Sequence, residues 1–139
     1  MIRTHQPAVR RFVLAGVLAL SISQLGATSG GPFGSIHVAA NRSAYNGRGC
    51  PVEIMFTATI NFVVPHGDLV FNYHWERSDG AKTPVQVVPV SRNKRSISIH
   101  EKWLFGSRGH HYEASTALFV NSGNTHMSEA SRVISVTCN

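Results

Sequence analysis

The chain has 139 residues and a formal charge of +6, from 13 Lys and Arg against 7 Asp and Glu. That length allows one domain with at most a short appendage and excludes a multidomain architecture. Three of the basic residues (Arg3, Arg10 and Arg11) stand in the first eleven positions, so the remainder carries a net charge of only about +3, which weakens any case for a nucleic-acid-binding protein.

The N-terminus reads as the appendage. A basic stretch without acidic residues ends at Arg11, and residues 12–22 (FVLAGVLALSI) follow as an apolar run. Spanning a bilayer takes about 20 apolar residues, so this run is too short to be a membrane helix. Small residues come next, from Gly26 to Gly30. A basic region, a short apolar region and a small-residue exit define a secretory signal peptide over residues 1–27, with cleavage after Ala27. No cysteine lies near that site to carry a lipid, and no transmembrane segment remains after cleavage. The expected location is secreted or periplasmic.

Cys50 and Cys138 are the two cysteines of the chain. In an oxidising compartment an isolated pair at the two ends of a domain most simply forms one disulfide. Closing a loop of about 90 residues would contribute roughly 4–5 kcal/mol, less any strain. Two free thiols and a two-cysteine metal site are the alternatives.

In chain order, residues 28–49 read as a flexible Gly- and Ser-rich leader with a first strand at 36–39 and a turn-rich loop at 41–49. Residues 50–64 alternate cleanly. Cys50, Val52, Ile54, Phe56, Ala58 and Ile60 share one parity, and Glu53, Thr57, Thr59 and Asn61 share the other, which predicts a half-buried strand with Cys50 facing inward. After the turn at Pro65-His66-Gly67-Asp68, residues 69–76 alternate again. Leu69, Phe71, Tyr73 and Trp75 fall on the inward parity, Asn72, His74 and Glu76 on the outward one, and Asp79-Gly80 closes the strand.

Residues 84–90 (PVQVVPV) form a strand whose prolines cannot donate to a ladder, which predicts a sheet edge. A polar turn at 91–95 (SRNKR) leads into 96–105, where Glu101 on the inward parity predicts a bulge or an exit from the sheet. Further strands follow at 112–120 and 131–138, separated by the turn at 121–125. About seven short strands at roughly ten-residue spacing, with no convincing helix, predict an all-β sandwich of immunoglobulin-like or fibronectin III-like type. If successive strands alternate in direction, Cys50 and Cys138 fall at the same end and both face inward.

The set V-x-F-x-Y-x-W-x-x-S-D-G is approximated by Leu69, Phe71, Tyr73, Trp75, Ser78, Asp79 and Gly80. Together with Cys50-Pro51, Trp103 and the terminal Val136-Thr137-Cys138, it resembles immunoglobulin-like modules of secreted bacterial proteins over positions 50–138. The resemblance implies an Ig-like domain over 50–139 and carries over no functional residues. It departs from antibody-type domains, whose cysteines sit on the second and penultimate strands.

Motifs that carry chemistry are few in this chain. Gly106-Ser107-Arg108-Gly109 is too short for a nucleophile elbow. His100-Glu101 opens like a zinc-protease motif but lacks the second histidine and lies on a strand, where residues four apart do not converge as on a helix. His110 and His111 are adjacent on a strand and point to opposite faces, so they do not share a metal. No catalytic residue, cofactor or metal site is therefore expected. The candidate partner surface comprises Asn72, His74 and Glu76 on the outward face of their strand, and Arg92, Lys94 and Arg95 as the one basic cluster. The reading is a small exported non-enzymatic Ig-like domain that binds a protein or surface glycan, or serves as a structural module of the envelope, with no specific nucleic-acid partner. A secreted enzyme inhibitor or a polyanion- or carbohydrate-binding protein is the alternative.

Overall fold

The computed structural model describes residues 31–139; the expected signal peptide lies outside them. The strands are β1 (Phe33–Ala40), β2 (Ala44–Gly47), β3 (Val52–Phe62), β4 (Leu69–Arg77), β5 (Gln86–Val90), β6 (Ser96–Phe105), β7 (His111–Ala114), β8 (Thr116–Ser122), β9 (Thr125–Ala130) and β10 (Ile134–Cys138). The described chain contains no helix.

The ladders run β1-β3-β6, β2-β10-β7 and β5-β4-β8-β9. The second and third ladders form one layer, because β7 and β8 are a single strand kinked at Ser115 and β9 runs on towards β10. Buried Ser131 splices the break. Its N–H donates to Thr116 O at 2.8 Å, and its Oγ accepts from Thr116 N–H at 3.2 Å. Thr116 Oγ1 donates in turn to Glu76 O at 3.0 Å, so these two buried hydroxyls are both engaged, as burial of polar groups requires.

β3 shows why the chain folds this way. Its β-branched and aromatic residues suit a pleated surface. Alternate side chains from Val52 to Phe62 are buried, and Ile54, Phe56, Ala58 and Ile60 are fully so. They face Trp75, Leu118, Val120 and Val136 of the other layer, all with no accessible surface. Trp75 is thus a core residue. Tyr73 is half-buried against the core, with its phenol pKa raised by burial and by the Glu101 carboxylate.

Three expectations are corrected. First, the domain takes in residues from Phe33 onward rather than starting at Cys50. β1 pairs with β3 from Phe33 to Ala40, and Phe33, Ile36 and Val38 are buried. The first strand expected at 36–39 is longer, Phe33–Ala40, and belongs to the sandwich, its start hidden by the Gly-rich composition around Gly34. After β1 the chain crosses to the other layer, where β2 runs parallel to β10. Second, the strand count rises from about seven to ten, through β2, β9 and the split of β7 from β8. Third, β6 holds an unbroken register from Val52↔Phe105 to Asn61↔Ser96, so no bulge surrounds Glu101. β6 is the margin of its layer, and an inward-parity carboxylate at a margin stays half-exposed without distorting the strand.

Cys50 and Cys138 form a disulfide with their Cα atoms 5.9 Å apart. It ties the approach to β3 to the end of β10, hence one layer to the other. Gly106 lies against it at φ +93, and a methyl group there would overlap Cys138 Sγ. Beside this end Arg77 lies 5.1 Å from the Trp103 ring centroid and 5.1 Å from that of Phe105 and pairs with Asp79. Arg77 and Trp103 are therefore packing elements between the layers.

Candidate partner-binding surfaces

The residues singled out in the sequence do not form one surface. Asn72, His74 and Glu76 lie on the outer face of the β5-β4-β8-β9 sheet. Arg92, Lys94 and Arg95 lie on the loop between β5 and β6. The registers Leu69↔Val90 and Asn61↔Ser96 place that loop at one end of the sandwich, beside the β3–β4 loop. The register Val52↔Phe105 puts the disulfide at the other end.

On the sheet face His74, Glu76 and Lys82 are committed to one another. The His74 ring stacks on Phe119, with centroids 5.1 Å apart and planes 10° from parallel. Its Nε2 donates to Glu76 Oε1 at 2.9 Å, and Lys82 Nζ donates to the same oxygen at 2.6 Å. The Lys82 ammonium and, after it, the His74 ring hold the Glu76 carboxyl below the usual carboxylate range. The triad's charges thus largely cancel. Around it the face is apolar in part, with Val70 and Val87 exposed at 56% and 67%.

At the loop end the pattern is reversed. Arg92, Lys94 and Arg95 are exposed, and none joins an ion pair among the described residues. The backbone beneath them is tightly held instead. Arg92 N–H donates to Asp68 Oδ1 at 2.7 Å. Asn93 N–H donates to His66 O at 3.1 Å, while His66 N–H donates to Asn93 Oδ1 at 3.1 Å. Phe62 N–H donates to Arg95 O at 2.8 Å. Asn93 sits at φ +56, a left-handed conformation that Asn tolerates better than most residues. The His66 ring completes the brace, with Nδ1 2.6 Å from Gly67 O and Nε2 2.8 Å from Lys94 O.

His66, Asp68 and Asn93 escaped the sequence reading. Each looks like an ordinary turn residue, and their partners lie 24 to 28 positions away. The remaining histidines do not converge on a site. His100 Nδ1 contacts Thr57 Oγ1 at 3.0 Å, and His111 Nδ1 contacts Thr137 Oγ1 at 2.8 Å. Among the described residues no three His, Cys, Asp or Glu side chains are placed to hold a metal ion. A separate hollow of about 310 Å³ lies where the chain leaves β1, lined in part by Val38, Ala40 and Ile134, with Arg42 and Arg132 beside them; no candidate from the sequence lines it.

This two-layer architecture is an Ig-like sandwich, and comparison with solved structures agrees. The chain is similar to the CARDB domain of the PF1109 protein of Pyrococcus furiosus, solved in complex with di-metal ions. That likeness has a TM-score of 0.54 at 12% identity and covers 78% of this chain and 97% of that one. The alkylpurine DNA glycosylase AlkC of Pseudomonas fluorescens, bound to DNA containing an abasic site analog, matches with a TM-score of 0.42 at 16% identity, over 75% of this chain and 30% of that one. The sporulation control protein Spo0M of Bacillus subtilis matches with a TM-score of 0.38 at 13% identity, over 78% of this chain and 51% of that one. The chain spans about a third and about half of those last two proteins. At such identities the first likeness is one of fold, and the other two carry no argument. No family model and no curated protein matches the sequence.

Proposed function

We propose that the protein is an exported, non-enzymatic Ig-like binding module that docks onto a polyanionic surface glycan through the end formed by residues 63–68 and 91–95. One observation carries this reading: three exposed cations without ionic partners among the described residues stand on a loop whose backbone is fixed by hydrogen bonds to a second loop. Cations on a pre-ordered loop lose less conformational freedom on binding than cations on a flexible tail, and loops on a rigid β scaffold are common binding sites. Export is supported by the signal-like N-terminus and by the disulfide.

The test is retention on immobilised heparin at pH 6 across a salt gradient. The protein should be retained and released by salt, and the combined substitution of Arg92, Lys94 and Arg95 by Gln should weaken binding by at least about tenfold. Salt-insensitive retention, or none, contradicts the proposal. Equal retention on single-stranded DNA columns would replace a glycan partner with a nucleic-acid one.

A further inference from the structure

We propose that His66 is the pH-controlled element of the same loop end. As an imidazolium it latches the 91–95 loop to the 63–68 loop and adds a fourth cation, so that the anionic glycan is held in acid and released as pH rises. The binding half of this inference rests on the function proposed above; the latch itself stands on the geometry of the ring.

Both ring nitrogens face backbone carbonyl oxygens, Nδ1 that of Gly67 and Nε2 that of Lys94. A carbonyl oxygen only accepts, and a neutral imidazole carries one N–H, whereas the imidazolium carries two. Satisfying both contacts at once therefore requires the charged ring. Loss of the proton leaves a nitrogen lone pair directed at a carbonyl oxygen within 3 Å, and one of the two bonds must break. The bond to Lys94 O joins the two loops across 28 positions, so the tautomer that lacks the Nε2 proton frees the strut under Lys94. The exchange between His66 and Asn93 remains, so the loop loosens without detaching.

The groups around the ring come from three segments. β3 contributes the Phe62 ring, 5.7 Å away between centroids. The 63–68 loop contributes the Asp68 carboxylate, and the 91–95 loop contributes the Lys94 carbonyl, with Arg92 and Asn93 lining the same hollow as the ring. The Lys94 and Gly67 carbonyls, and then Asp68, raise the imidazole pKa above its ordinary 6.5 against an opposing desolvation. A raised folded-state pKa makes the latch fully present below about 6.5 and lost as pH climbs through the higher folded value. No covalent step is involved; one proton is exchanged with solvent.

The experiment has two readouts on the intact, oxidised protein. The first is the ring-nitrogen NMR titration of His66 without ligand. Both nitrogens should carry protons at pH 6, with a midpoint above 6.5. A midpoint at or below 6.5, or a neutral ring at pH 6, overturns the latch. The second compares a heparin hexasaccharide at pH 5.5 and pH 8 for the native chain and for His66→Gln, a variant that can still donate one bond but does not titrate. The native chain should lose about fivefold more affinity across that range than the variant. Equal pH dependence in the two proteins overturns the control of binding. Absence of binding at both pH values overturns the glycan reading together with that control, and leaves the ring titration to decide the latch.

Discussion

The outer face of β4 and the 91–95 loop are both charged patches in the sequence, and they differ in what their charges are doing. On the β4 face, Glu76 Oε1 accepts from both Lys82 and His74, and the His74 ring lies flat on Phe119. At the loop end the side-chain charges of Arg92, Lys94 and Arg95 have no ionic partner among the described residues, while the main chain beneath them is bonded to Asp68, His66 and Phe62. A patch whose charges already satisfy one another must give up those bonds before it can pair with a partner. A patch with fixed backbone and unpaired side chains gives up little. Charge in a sequence therefore marks candidates, and the pairing in the fold separates them.

The two regions also respond to pH with opposite signs. Glu76 titrates below its ordinary value, so the stabilisation from its triad is present at neutral pH and lost as pH falls through that lowered value. The His66 brace has the raised pKa and is lost as pH rises. Hydrogen exchange should accordingly show the amides around Glu76 and Lys82 loosening as pH falls through the lowered Glu76 pKa, and those of 92–95 loosening as pH rises through the raised His66 pKa. Loosening of both regions in the same direction would break the comparison.

The largest expected effect comes from neither patch. Replacing Cys50 and Cys138 by Ser should lower unfolding stability by roughly 4 kcal/mol in a denaturant titration, while the folded fraction keeps its heparin affinity, because the bridge lies at the opposite end from the cations. An affinity loss in the folded fraction would mean that the loop end depends on distant packing. Next, the triple Gln substitution of Arg92, Lys94 and Arg95 should weaken heparin binding by at least about tenfold yet move stability by no more than about 0.5 kcal/mol. Asn93→Ala removes an acceptor and strains a left-handed position; it should cost about 1–2 kcal/mol and weaken heparin binding by about threefold through disorder of the loop. Glu76→Gln should have the smallest effect on binding, under about twofold, since the charges it releases lie on the other surface.

Much of the fold is legible in the sequence because burial alternates along it. The parity of Val52 to Ile60, the inward Phe71 and Trp75, and the inward Cys138 all follow from period two. What escapes has physical reasons. β2 (AYNG) is built of turn-like residues and is held by a parallel neighbour, β10. β9 (THMSEA) is a margin strand exposed along most of its length, so it has little apolar face to announce it. The splice at Ser131 depends on a hydroxyl whose partner is 15 residues away. At the candidate site the sequence marks Arg92, Lys94 and Arg95 correctly as a basic turn. The brace formed by His66, Asp68 and Asn93 is set by two loops meeting in space, and no local pattern encodes it.

The most direct test of the difference between the two patches is a titration of the isotopically labelled protein with a heparin hexasaccharide at pH 6, read residue by residue. The account predicts saturable, salt-sensitive shifts in the backbone amides of 66–68 and 91–95, with Asn72, His74 and Glu76 unmoved. Shifts centred on the β4 face, or none at the loop end, would contradict it.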